Sequence, residues 1–393
     1  MSKEAKILLL VSGLFTLAKG LSNVFVNIFL WKKSNDFIMI SQYNLIQYIF
    51  LPIAFTMAGW LAKKKNGVWA LRIGIVFYIL FFIFIILIKD DIIKYIYPLG
   101  ILFGVAGGFY WLAFNVLSFD FTSTNNRDTF NGYNGFIAGI CAAIAPFTSA
   151  YIIAKSKNMT GYMIVFLLSL IFFVILILIS LLLHSQHYGE KLDFKKIIGS
   201  NNFEWSNLRK STVAWGLRDV VILFLLNILI YKTTGSEMAL GKLFLIAYFI
   251  SSAAYLAEQK FIKPNRRIFA LHIGAILMFI SVLGLVVKIN YYSILFFIIL
   301  DAIAVPFFYV PMTSATFNTL AQHHEENMRI EYIINRDIAL NAGRILSTTL
   351  LMTLLTFIRN DRVLNYFLLF IASSQLISLY FLKRLKIWDI KKG

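Results

Sequence analysis

The residues with chemistry to do are charged and amide side chains set at helical spacing in an otherwise apolar chain. Ser12, Thr16, Lys19, Asn23 and Asn27 follow at intervals of four, three, four and four, which puts all five on one face of a helix. Asp337, Asn341, Arg344 and Thr348 form a second such stripe, and Gly100, Gly104, Gly107, Trp111, Asn115 and Ser118 share a third face. An ionised side chain in hydrocarbon costs at least about 2.5 kcal/mol on insertion scales, so these faces must turn toward protein or a water-filled cavity. The chemistry on offer is recognition of a solute by charge and hydrogen bonding. Glycines let helices approach closely, while Trp111 and Asn115 are placed to meet a solute. A single buried Asn or Ser reads as an interhelical hydrogen bond; a five-residue stripe centred on Lys19 reads as a hydrophilic path.

Cations within the apolar runs (Lys19, Arg72, Arg218, Lys242, Arg336, Arg344) outnumber anions (Asp219, Asp301, Asp337). Spare positive charge favours an anionic or amphipathic solute over a cationic one, with Lys242, Arg336 and Arg72 able to snorkel to an interface. Covalent catalysis has little to work with. His184 and His187 have helical ligand spacing but no acidic partner or H-E-x-x-H frame, and His272, His323 and His324 stand apart from them. The single cysteine, Cys141, excludes an intramolecular disulfide framework and a cysteine metal cluster. No enzyme, metal or cofactor is expected.

Helices must position these residues, and composition says that they cross a membrane. Hydrophobic residues make up 59% and charged ones only 14% of 393 residues, and apolar runs of spanning length recur from end to end. The fold class is an all-α membrane protein of about twelve spans. Those of the first half lie near 6–31, 37–62, 68–88, 95–119, 129–154 and 162–184; those of the second lie near 212–231, 238–257, 268–288, 292–321, 332–358 and 363–382. The first run is too long for a signal-peptide core and is read as a retained helix. The polar stretch 185–211, carrying Lys191, Lys195, Lys196, Arg209 and Lys210, is read as a cytoplasmic linker between halves 1–184 and 212–393. With the N-terminus inside, roughly 21 Lys/Arg fall in cytoplasmic segments and roughly 10 outside, so both termini are expected in the cytoplasm. The net charge of +18 suits anionic membrane lipids, through clusters at 63–65, 260–267 and 383–392, rather than nucleic acid. Abundant Ile, Lys, Asn and Phe suggest an AT-rich bacterial genome and thus a plasma membrane.

The two halves are copies. Val26-Asn27-Ile28-Phe29-Leu30-Trp31-Lys32 returns 200 residues later as Leu226-Asn227-Ile228-Leu229-Ile230-Tyr231-Lys232, and Ala70-Leu71-Arg72-Ile73-Gly74 as Ala270-Leu271-His272-Ile273-Gly274. About 13 identities in about 58 ungapped positions stand against roughly 4 from shared composition. A long parallel repeat in so apolar a chain points to a secondary transporter with its site between the halves. The repeat sets Lys19 and Asp219 in one slot, a cation facing an anion. An ion pair between them is expected in at least one state, with Arg218 and Arg344 as alternative partners for Asp219. It also sets Asn27 and Asn227 at equal heights as a candidate outer gate.

Twelve spans in two related halves with a cytoplasmic linker resemble the major facilitator superfamily over nearly the whole chain. The family loop G-x-L-x-D-R-x-G-R-K is similar to Gly59-Trp60-Leu61-Ala62-Lys63-Lys64-Lys65-Asn66-Gly67, with Lys63 where the family has Asp. The helix 5 motif of its drug antiporters is similar to Gly132, Cys141, Ala145-Pro146, Ser149 and Ala150, where only the first Gly and the Pro are literal. Phe103 stands where proton antiporters of the R-x-x-x-G type carry arginine. The first helix looks most like Gram-positive members without an assigned substrate. The resemblance implies alternating access around a midplane site lined by helices 1, 4, 7 and 10 and flanked by 2, 5, 8 and 11. Candidate substrate- or ion-binding residues are then Lys19, Asn23, Asn27, Trp111, Asn115, Arg218, Asp219, Asn227, Tyr309, Asn341 and Arg344, and candidate gating residues are Gly59, Lys63 and Asp337. The expected activity is transport of a small, anionic or amphipathic solute by a monomer, with protons as candidate coupling ions. Two alternatives stand beside it: a flippase for lipids or lipid-linked headgroups, and a transport-dead membrane sensor or scaffold.

Overall fold

The computed structural model describes residues 1–122, 126–157, 159–185, 191–195, 202–322, 328–358 and 362–388. His187, His323, His324, Lys196 and the end of the basic tail lie outside the described residues. Twelve helices long and apolar enough to cross a membrane are present among the described residues. They are α1 (Lys3–Ser34), α2 (Phe37–Lys64), α3 (Gly67–Ile88), α4 (Ile96–Asp120), α5 (Arg127–Lys155) and α6 (Thr160–Ser180) in the first half. The second half holds α7 (Phe203–Thr234), α8 (Glu237–Phe261), α9 (Arg267–Val287), α10 (Tyr291–Gln322), α11 (Arg329–Phe357) and α12 (Val363–Leu382).

Local chemistry sets the helix ends. Ser2 accepts from the Ala5 N–H to begin α1, and Asp36 and Asn66 likewise begin α2 and α3. The turn after α1 is closed by Asn35 at φ 50°, whose N–H donates to the Trp31 carbonyl at 2.7 Å; Gly235 at φ 63° closes α7 on the Tyr231 carbonyl at the same 2.7 Å. These residues sit at matching positions of the repeat, so the copy extends to backbone geometry.

The chain divides into two compact units, Met1–Asp193 with Ser236–Lys242, and Phe194–Gly235 with Leu243–Gly393. In the first unit α4 lies along α2 and α3, and α1 packs on α5 and α6. A Cβ on Gly100 or Gly104 would come within 2.8 Å of the Tyr43 or Gln47 carbonyl, and one on Gly74 within 2.6 Å of the Tyr110 nitrogen, so these contacts require glycine. The opening turns of α8 belong to this unit. Glu237 accepts from Lys32 at 2.8 Å and from the Tyr162 hydroxyl at 2.7 Å. In the second unit α7 packs on α11 and α12, and α9 on α10 and α12. Gly274 approaches Ala304 and Phe308 of α10 as Gly74 approaches Ala106 and Tyr110 of α4. Among the described residues α8 has no close pairing with α10 to match that of α2 with α4.

One boundary departs from the apolar reading. Helix α7 begins at Phe203, inside the stretch read as linker, because its first turns are amphipathic and find polar partners. Asn202 accepts from the Glu204 N–H, Trp205 Nε1 donates to Asn335 at 2.8 Å, and Glu204 accepts from the Lys386 N–H at 3.0 Å.

Candidate functional site

In the first unit the α1 stripe meets an aromatic wall. The Lys19 Nζ lies 5.9, 5.9 and 5.8 Å from the ring centres of Phe15, Phe103 and Trp111, a spacing at which ring faces attract an ammonium. Phe15 stacks on Tyr110 and meets Trp111 edge-on, which fixes the cage; Trp111 itself is exposed. Phe103 is thus a wall of the lysine's surroundings. Toward the end of the stripe Asn27 donates to the Asn23 carbonyl and accepts from Asn44 at 2.9 Å, so its amide joins α1 to α2. Asn115 lies half-buried on α4, and its carbonyl accepts from the Ser118 hydroxyl.

In the second unit the charges are bonded to one another. Arg344 holds one oxygen of Asp219 with two N–H groups, Nε at 3.0 Å and Nη2 at 2.7 Å. Its Nη1 donates to Asn341 at 3.2 Å, and Asn341 Nδ2 donates to Asp337 at 3.0 Å. The α11 stripe is therefore one ladder from Asp337 to Asp219, and the gating candidate Asp337 sits beside binding candidates. Arg218 pairs with Asp301 of α10 and lies 5.6 Å from the Trp215 ring, which in turn packs on Phe308 and Tyr309. Arg218 is 4% exposed, and its Nε has no acceptor among the described residues. A buried donor left unmet costs about 1–3 kcal/mol.

The structure corrects the slot shared by Lys19 and Asp219. Val221–Leu225 is π-helical, which inserts one residue between Asp219 and Asn227 relative to an α-helix. Counting back from Asn227, the place that Lys19 takes relative to Asn27 falls on Arg218. The partners agree: the glycine contacts match Ala106 and Tyr110 with Ala304 and Phe308, so Phe103 corresponds to Asp301 and Trp111 to Tyr309. Lys19 beside Phe103 and Arg218 beside Asp301 are two versions of one arrangement. Asp219, turned by about 100° from Arg218, is engaged by Arg344, the alternative partner that the sequence also allowed.

Other residues have structural duties. Arg72 donates to the Ser180 and Leu183 carbonyls at 3.1 and 3.3 Å, capping the end of α6 rather than facing a solute path. Lys63 and Gly59 are buried, whereas Lys64 and Lys65 lie 4.7 Å from the rings of Trp60 and Trp69. Asn227 donates to the Leu223 carbonyl of its own helix, as Asn27 does to that of Asn23. Asp301 was legible in sequence only as one of three in-membrane anions; its tie to Arg218 depends on the register of α10 against α7.

Twelve helices long and apolar enough to cross a membrane, in two related units, define a polytopic membrane protein. The chain belongs to the major facilitator superfamily, whose family model matches residues 8–329. It is 31% identical over 388 residues to "Uncharacterized protein YqgE" of Bacillus subtilis (strain 168), covering 98% of this chain and 90% of that one. It is 40% identical over 166 residues to "Uncharacterized protein in sodM 3'region" of Geobacillus stearothermophilus, covering 42% and 78% respectively. Among solved structures, a bacterial metal transporter aligns with a TM-score of 0.65 at 14% identity over 100% of both chains. The nucleoside transporter NupG aligns at 0.70 and 10% identity over 99% of this chain and 100% of that one. A variant of the Escherichia coli fucose:proton symporter FucP aligns at 0.66 and 13% identity over 96% and 97%. At these identities the solved structures speak for the fold alone.

Proposed function

We propose that this transporter moves a small anion with a flat apolar part, such as an aromatic carboxylate, by alternating access in a bacterial plasma membrane, working as a monomer with both termini in the cytoplasm. The observation that carries this reading is the pair of matching cations: Lys19 beside aromatic rings, and Arg218 with a buried N–H to offer. A carboxylate suits such cations, and in the first unit the exposed Trp111 ring beside Lys19 would pack against its aromatic part. Metals, nucleosides and fucose, named for the structural neighbours, would make less use of the Lys19 ammonium and its aromatic rings. Proton coupling would run through the carboxylates of the Asp337 to Asp219 ladder.

A thermal-shift screen on purified protein tests the substrate class. A binder at a hundred times its Kd adds about 2.7 kcal/mol to the native state. Aromatic carboxylates should raise Tm and lose the effect in Lys19→Ala, while nucleosides, sugars and divalent metals should not. A response to nucleosides or metals alone would refute the anionic reading. A second reading is passage of a lipid-linked headgroup, for which α8 and α10, not closely paired among the described residues, would be the place of lateral entry. Flipping of a fluorescent lipid in proteoliposomes without uptake of soluble carboxylates would select it.

A further inference from the structure

A groove of about 540 Å³ lies on the first unit, away from the polar stripe. Its walls are apolar: Ile86 of α3, Met163, Ile164 and Leu167 of α6, and Phe29 of α1 as a buried floor. Only its mouth is polar, where Lys89 ends α3 and Thr160 begins α6. Ile164 and Leu167 are exposed on a helix of spanning length and nearly unbroken apolar character, so what lies against them in a membrane is lipid.

Lys89 is unusual twice over. Its backbone has φ 40° and ψ −102°, a conformation that glycine adopts without strain, yet the position holds a long cationic side chain. Among the described residues it makes no ion pair, while nearby Asp91 is taken by Lys94 at 2.7 Å. The charge is left at the lip of an apolar trough, at the level where a spanning helix ends and headgroups begin.

We propose that this groove is a binding site for one anionic phospholipid, with an acyl chain lying along Met163, Ile164 and Leu167 over Phe29 and the phosphate met by Lys89 and the Thr160 hydroxyl. A flexible methionine-lined trough suits an acyl chain, since thioether side chains adapt to irregular apolar shapes. A zwitterionic lipid would fill the trough equally well but bring its own ammonium to Lys89. The groove therefore discriminates by headgroup charge.

Native mass spectrometry of the full-length protein, titrated with palmitoyl-oleoyl phosphatidylglycerol or the matching phosphatidylcholine, tests this. Wild type should prefer phosphatidylglycerol by about fivefold, the discrimination that one lysine near an anionic headgroup supplies. Lys89→Gln should bind the two lipids alike. Met163→Trp, which fills the trough, should weaken both, and Lys94→Gln should change neither. Monodispersity on a sizing column reports folding of each variant. Equal binding of the two lipids by wild type overturns the proposal whatever the variants do. So does loss of preference in Lys89→Gln together with unchanged binding by Met163→Trp, which would put the headgroup at the lysine and the chain elsewhere.

Discussion

Asp219 and Arg344 show what a buried charge requires and what removing it should do. Two N–H groups on one carboxylate oxygen hold the pair, and both side chains are about 15% exposed. Removing one partner of such a pair leaves an uncompensated charge, at a cost of about 3 kcal/mol. Asp219→Asn and Arg344→Gln should each lower Tm in detergent, and the double variant should be less damaged than the sum because neither charge is then stranded. Additive losses would show that the pair does not couple. Lys19 should behave differently, because aromatic rings stand around its ammonium. Lys19→Ala should abolish substrate-dependent stabilisation while shifting the ligand-free Tm by no more than the equivalent of about 1 kcal/mol. A large ligand-free loss would make Lys19 a structural residue. The stripe that contains it was legible from spacing alone, since period is a property of the sequence. The partner of Asp219 was not: three cations were open to it, and only register chooses among them.

At the scale of the element, the π-helical turn at Val221–Leu225 decides that register. A gapless repeat hides it, because the identities from Asn27 and Asn227 to Gly74 and Gly274 lie between the inserted residue and the two dropped before α10. Sequence comparison therefore set Asp219 opposite Lys19, whereas packing gives that slot to Arg218. The glycine contacts were likewise only half legible. Gly100 and Gly104 were expected to bring helices together and do, but Gly216 and Gly343 make closer approaches: a Cβ on either would stand 2.1 Å from a backbone oxygen, that of Leu340 or Val213. Gly343→Ala should thus pry α7 from α11, pull Arg344 off Asp219 and cost at least the 1–3 kcal/mol typical of overpacking. Gly139, with nothing within 4 Å of its would-be Cβ, provides the contrast. Gly139→Ala should be neutral or stabilising by about 0.5–1 kcal/mol, since alanine favours the helix. Thermal melts of the two variants side by side check the packing argument, and equal Tm values would contradict it. The early start of α7 was illegible for a related reason: its first turns are polar, and the partners that make them helical lie on α11 and beyond α12.

At the scale of the whole molecule, twelve spans and a repeated unit were legible because the bilayer imposes a length and duplication leaves a copy. Orientation rests on a separate physical asymmetry. Positively charged loops are retained on the cytoplasmic side during insertion, and the Lys/Arg count favours an internal N-terminus by roughly 21 to 10. With an even number of spans, both termini are then expected on that side, as are Lys63, Lys64, Lys65 and the stretch between α6 and α7. Side-chain placement fits this: Lys64 and Lys65 lie over Trp60 and Trp69 at the ends of α2 and α3, as basic and indole groups do at a membrane interface. Cysteine labelling in intact cells tests the orientation on a Cys141→Ser background, since Cys141 is the one native thiol. Lys195→Cys, in the stretch between the halves, should resist a membrane-impermeant maleimide until the cells are opened. Lys157→Cys, in the turn between α5 and α6, should react from outside. The reverse pattern would invert the molecule in the membrane and with it the direction in which the lysine-bearing groove mouth at Lys89 faces.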